Sequence, residues 1–153
     1  MVVKQRRPSS RRGLAVIEAA LLMPLLFALL LGCLQYGWCF LKVQQLEQAA
    51  RQGARIGALQ TGTNSKVTTS IANIMNAAGM PQGTSGYTIT LRNATSGTTI
   101  TDVADIGQLP PHALLEVTVT IPDYTTIGIF SAPLIPMPTS LVRRTAMLKE
   151  GPL

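Results

Sequence analysis

A single carboxylate, Glu18, stands inside an otherwise uncharged apolar run from Leu14 to Leu34, and Arg11, Arg12 and Gly13 come immediately before that run. A charged side chain at the bilayer centre costs about 2.5 to 3.5 kcal/mol, and less near the boundary, so an acid in such a run points to a use for it. That use would be pairing with a cation. Other groups that could do chemistry are sparse. Cys33 and Cys39 are six residues apart, about 9 Å along a helix axis and on different faces, beyond disulfide reach; they read as buried apolar residues. His112 follows Pro110-Pro111 at a turn with no acid or cysteine cluster to make it a metal ligand or a base. Asp102 and Asp105 flank a loop that lacks the further oxygen ligands of a calcium site. Phosphate loops, nucleophile elbows and zinc motifs are absent from the sequence. No cofactor or metal is expected, and the chain does not read as an enzyme.

Composition agrees. The 153 residues allow one modest domain, with 13% charged residues, 46% apolar residues and a net charge of +6. A mean hydropathy of +0.28, with a charged share about half that of a soluble domain, argues against an ordinary cytosolic enzyme. Disorder is excluded by the abundance of Leu, Ile and Val. The basic excess is local: Lys4, Arg6, Arg7, Arg11 and Arg12 are five of thirteen basic residues, and the first twelve residues contain no acid. A nucleic-acid surface would place stacking aromatics beside those charges. Instead Tyr36, Trp38 and Phe40 lie far along the chain, so residues 1–13 read as a basic cytoplasmic leader and no nucleic-acid partner is expected.

The elements that must position Glu18 follow from hydropathy. Residues 14–34 span about 30 Å as a helix, the hydrocarbon thickness of a bilayer, and read as a transmembrane helix in contact with lipid. The basic leader keeps the N-terminus in the cytoplasm and sends the remainder across, with Tyr36 and Trp38 at the level of an interfacial belt. Pro24 removes a backbone hydrogen bond and should kink or loosen the span. Residues 35–60 continue as a helical stem: Val43, Leu46, Ala50, Gly53 and Gly57 recur three or four apart, while Lys42, Gln45, Glu47, Gln48, Arg51, Gln52 and Arg55 cover other faces. The predicted helix runs from about residue 14 to about 59. Its small ladders, Ala49-Gly53-Gly57 and Ala50-Ala54-Ala58, would let another backbone approach closely, and Ala49, Ala50, Gly53, Ala54 and Gly57 are the candidate helix-packing positions.

Residues 61–153 read as a small extracytoplasmic head. Asn64 or Ser65 caps a short helix through about Ala78, with Val67, Ile71, Ile74 and Met75 inward and Gly79-Met80-Pro81 as its stop. Beyond it the period changes to two. Tyr87, Ile89 and Leu91 alternate with polar residues, residues 98–103 form a return strand, and Leu115, Val117, Val119 and Ile121 mark the clearest strand, ended by Pro122. Pro133, Pro136 and Pro138 confine residues 131–138 to an irregular loop before a last strand over 141–148. The fold class is α+β: a long transmembrane-plus-stem helix, a short helix, and a small antiparallel sheet packed on the stem.

Arg11-Arg12-Gly13 followed by Leu14-Ala15-Val16-Ile17-Glu18 resembles the processing site of prepilin-like proteins. In that family a basic leader ends in glycine, an intramembrane aspartate peptidase cuts after it on the cytoplasmic side, and the fifth residue of the mature chain is glutamate. Matched to this sequence, Gly13 precedes the cut, Leu14 becomes the N-terminus and Glu18 is that glutamate. The cut creates a cationic amine where an unpaired charge is expensive, and a carboxylate one turn away or on a neighbouring helix neutralises it. Pairing between subunits would set axial register in a filament, which is the docking role the resemblance implies for Glu18. More narrowly, the chain is similar to TadE-like pseudopilins of the tight-adherence pilus machinery. That likeness rests on Ile17-Glu18-Ala19-Ala20, Leu22-Met23-Pro24-Leu25-Leu26, Gln35-Tyr36-Gly37, Ala49-Ala50-Arg51-Gln52-Gly53-Ala54-Arg55 and Met147-Leu148-Lys149-Glu150.

The resemblance implies a single-pass protein of the bacterial inner membrane that takes part in pilus assembly for adhesion or secretion. Its partners would be a prepilin peptidase, other pilin or pseudopilin subunits and the inner-membrane assembly platform. Two alternatives remain at this point. One is an unprocessed membrane-anchored binding module. The other is a lipoprotein acylated at Cys33, suggested by Leu30-Leu31-Gly32-Cys33 but opposed by the apolar residues that follow, where a polar tether is needed.

Overall fold

The computed structural model describes residues 10–83, 86–100, 105–126 and 136–151, with side chains from Gly13 onward. The chain divides into two compact units, residues 1–37 and 38–153. Helix α1 covers Ser10–Ala58 and continues through Pro24, so it starts four residues before the predicted position and ends one residue before it. Within the first unit, every residue from Gly13 to Leu31 is exposed, Leu14 at 70% and Leu21 at 74%. An apolar helix with its leucines turned outward on all faces suits lipid rather than water, and α1 is long and apolar enough to cross a membrane. Cys33 is exposed on this helix and Cys39, in the second unit, is half-buried; both are free thiols. The expectation that both are buried fails at Cys33 because nothing in the first unit packs over that face.

In the second unit the remainder of α1 contributes a stripe of buried residues, Leu46, Ala49, Ala50 and Ala54, to one core. Helix α2, Asn64–Ala77, adds Val67, Ile71 and Met75. Thr63 rather than Asn64 or Ser65 is its N-cap: the Thr63 hydroxyl accepts from the Lys66 amide at 3.3 Å, supplying a partner for one of the orphan donors of a first turn. Asn64 is thereby released for another contact, described below. At the other end Ala78 is the C-cap and Gly79 takes φ +72. The Gly79 amide donates to Asn76 O and the Met80 amide to Met75 O, the paired bonds of a Schellman stop, for which glycine at the left-handed position is the least strained residue.

Four strands, β1 (Thr88–Asn93), β2 (Thr98–Ile100), β3 (Leu114–Ile121) and β4 (Leu141–Leu148), form one antiparallel sheet in the order β2-β1-β3-β4. The described part of the return strand is Thr98–Ile100; residues 101–103 of its predicted span, and 131–135 of the predicted irregular loop, lie outside the described residues. Register follows the alternation. Ile89 pairs with Val119, Leu91 with Val117 and Leu115 with Met147, all on the core side, whereas Thr88 meets Thr120 and Thr90 meets Thr118 on the other face. A shift of one residue would turn every core side chain outward. Leu115, Val117, Val119 and Ile121 are fully buried, each contributing about 1.5 to 3 kcal/mol relative to exposure.

Candidate processing and docking site

Gly13, Leu14 and Glu18 share the first turns of α1, all exposed. Leu14 and Glu18 are four residues apart, which places them on the same face one turn from each other. A Cβ added at Gly13 would meet nothing within 4 Å, so the position is open to approach. The bond between Gly13 and Leu14 lies inside α1, three residues after its first residue. That turn has no acidic residue, its leading amides lack intrahelical acceptors, and an interior glycine weakens a helix by about 1 kcal/mol relative to alanine. The bond therefore sits near the weakly held start of the helix.

The candidate packing residues of the stem belong to the second unit. Ala49, Ala50 and Ala54 are fully buried, and the glycines lie under α2 and β3 of the same chain. A Cβ at Gly53 would stand 2.6 Å from Ile71 Cδ1 and 3.5 Å from Val117 Cγ1; at Gly57 it would stand 2.3 Å from Leu115 Cδ2 and 3.2 Å from Val67 Cγ2. The close approach made possible by these small residues is thus to a helix and a strand of the head, and in this chain that face is already covered.

Several residues that hold the head together give no such signal in the sequence. Lys42, expected on an outer face, is 4% exposed. Its Nζ donates to Ala78 O at 2.8 Å and lies 4.6 Å from the centre of the Trp38 ring, so the ammonium sits between a π face and the carbonyl end of α2, both favourable for a cation. Burial nevertheless lowers its pKa. Lys149, 5% exposed, donates through Nζ to Ile106 O; burial lowers its pKa while the charge of Asp105 opposes the shift.

Asn64 and Asp105 exchange contacts: Asn64 N donates to Asp105 Oδ1 and Ile106 N to Asn64 Oδ1, each at 3.0 Å. Asp105 also caps a short 3-10 helix, Ile106–Gln108, through Gly107 N. His112, at φ 62, turns the chain so that its amide reaches Lys149 O. Asp102 lies outside the described residues, and among those described no group of three or more His, Cys, Asp or Glu could hold a metal.

One long exposed face remains on the stem. Phe40, Leu41, Gln44, Gln48, Arg51, Gln52 and Arg55 line a groove of about 910 Å³ together with Ile74 of α2 and Arg143 and Met147 of β4. Within it Glu47 holds both Arg51, one turn away, and Arg143, at 3.9 Å.

No curated protein and no solved structure matches the chain. Residues 13–55 match the family model described as TadE-like protein, and the chain thus carries a TadE-like segment that opens on Gly13, contains Glu18 and the span, and closes at Arg55 of the stem.

Proposed function

We propose that this chain is a minor pilin or pseudopilin, an assembly subunit rather than an enzyme, that takes part in building a tight-adherence-type pilus. The observation that carries the reading is where the TadE-like segment begins: its first residue is Gly13, the position after which a prepilin peptidase would cut, and its sixth is Glu18. On this reading the leader stays in the cytoplasm, α1 crosses the inner membrane and the head lies outside. Cleavage frees the amine of Leu14 in a setting where a lone charge is costly, and the carboxylate of Glu18, one turn away or from the next subunit, offsets it. Other pilin subunits and the assembly platform of the inner membrane are the partners.

Two measurements test this. Mass spectrometry of the protein extracted from membranes should give Leu14 as the first residue, and Glu18→Ala should insert normally yet fail to support pilus assembly. An intact leader in cells that express the cognate peptidase, together with normal assembly by Glu18→Ala, would leave an unprocessed anchored head as the better reading.

A further inference from the structure

We propose that the groove along the stem is a docking site for an amphipathic α-helix of a different protein, one that carries carboxylates a helical turn apart. The groove runs from Phe40 to Arg55, sixteen residues and about 22 Å of helix axis. Its polar content is lopsided. Arg51, Arg55 and Arg143 face one carboxylate, Glu47, whose two oxygens are each taken by an arginine, Oε1 by Arg51 and Oε2 by Arg143. Two positive charges are left over along the face. Arg51 and Arg55 are both exposed and four residues apart, so carboxylates at the same spacing on a facing helix would meet them in step.

Apolar side chains accompany these charges: Phe40 (64% exposed) and Leu41 at one end of the stem face, with Ile74 and Met147 also in the lining. The floor presents rows at helical spacing, Gln44-Gln48-Gln52 and Arg51-Arg55, which are ridges suited to another helix. A second copy of this chain lacks the complement: Glu18 and Glu47 are the only acids of α1, far apart in sequence, and α2 has none. The groove is built from the stem, α2 and β4, and is present whether or not the leader is removed.

The test is a titration of the full-length protein in non-ionic micelles with fluorescein-labelled helical peptides of twenty residues. One peptide carries leucines on one face and Glu at i, i+4 spacing beside it; its counterpart carries Lys in place of Glu. The Glu peptide should bind at least tenfold more tightly than the Lys peptide, and less tightly as salt is raised. The Arg51→Glu/Arg55→Glu double variant should reverse that preference, a gain that loss of folding would not produce. Arg92→Glu, on the sheet, should leave it unchanged. Equal binding of the two peptides, no binding of either, or an unaltered preference in the double variant would overturn the proposal. So would self-association of the unliganded protein that the double variant abolishes, since that would assign the groove to a second copy.

Discussion

The ammonium of Lys42 and the carbonyl of Ala78 are 36 residues apart in the chain and 2.8 Å apart in the head. This bond ties the stem to the last turn of α2, and with Lys42 only 4% exposed water does not replace it easily. A hydrogen bond to a charged group is worth about 1.5 to 3 kcal/mol when its loss leaves a buried acceptor unpaired. Lys42→Met keeps most of the packing and loses the bond, while also relieving the cost of the buried charge; a net destabilisation of about 1 kcal/mol is expected in denaturant titration. Lys42→Glu sets a carboxylate against the carbonyl end of α2 and should cost more than about 3 kcal/mol.

Alkaline pH should act on the head in two opposed ways. Burial lowers the pKa of Lys42 and Lys149, so between those lowered values and the unfolded value near 10.4 the unfolded state holds more protons, and stability rises with pH. Burial raises the pKa of Tyr87 and Tyr124, the latter also through the neighbouring Cys39 thiol. Above about pH 10 the folded state therefore holds more protons, and stability falls. Melting temperatures across this range should show a shallower rise in Lys42→Met and a shallower fall in Tyr124→Phe.

Tyr124 also offers a test at neutral pH. Its hydroxyl is buried and makes no hydrogen bond of ordinary geometry. Removing a buried hydroxyl whose polar neighbour is only the weakly bonding thiol of Cys39 relieves a desolvation cost, so Tyr124→Phe should be neutral or stabilising by up to about 1 kcal/mol. Asn64→Ala is the contrasting case, since it orphans the Ile106 amide and should cost about 1 to 3 kcal/mol.

The glycines of α1 should respond according to what surrounds them. Gly57→Ala gains helix propensity but drives a methyl group into Leu115 and Val67. A gain of about 1 kcal/mol against an overpacking cost of about 1 to 3 predicts net destabilisation of roughly 1 kcal/mol. A Cβ at position 13 meets nothing within 4 Å, so Gly13→Leu should leave the melting of the head unchanged while slowing removal of the leader. Thermal melts and N-terminal mass measurement on both variants separate the two effects.

The legible parts of the fold were those with a strict period. Alternation from Leu115 to Ile121 gave β3 to within a residue, and Gly79 marked the end of α2 because few other residues tolerate its backbone angles. The stem face toward the core was legible from Leu46, Ala50, Gly53 and Gly57 for the same reason. Lys42 was not. Its charge argues for solvent, and the carbonyl that holds it belongs to a helix end that no local pattern connects to position 42. The cap at Thr63 was missed by one residue because Thr, Asn and Ser all serve as caps, and what distinguishes them here is the demand of Asp105 and Ile106 on Asn64, a contact across about forty residues. The candidate processing residues Gly13 and Leu14 and the candidate docking residue Glu18 stood out because a basic stretch ends in glycine and a single acid then interrupts a long uncharged run, and the groove was hidden because its arginines belong to two distant elements.

The cover over Gly57 has a consequence for how the protein is made. Synthesis runs from the N-terminus, so the stem emerges with its small-residue flank bare, and the side chains that sheathe it arrive later, first Val67, then Ile106 and Leu115. During that interval the nascent flank is sticky and available to other newly made chains. Cells that produce this protein quickly should therefore depend on a holding chaperone at the site of emergence, and ribosome stalling before residue 106 should increase misassembly more than stalling after residue 148.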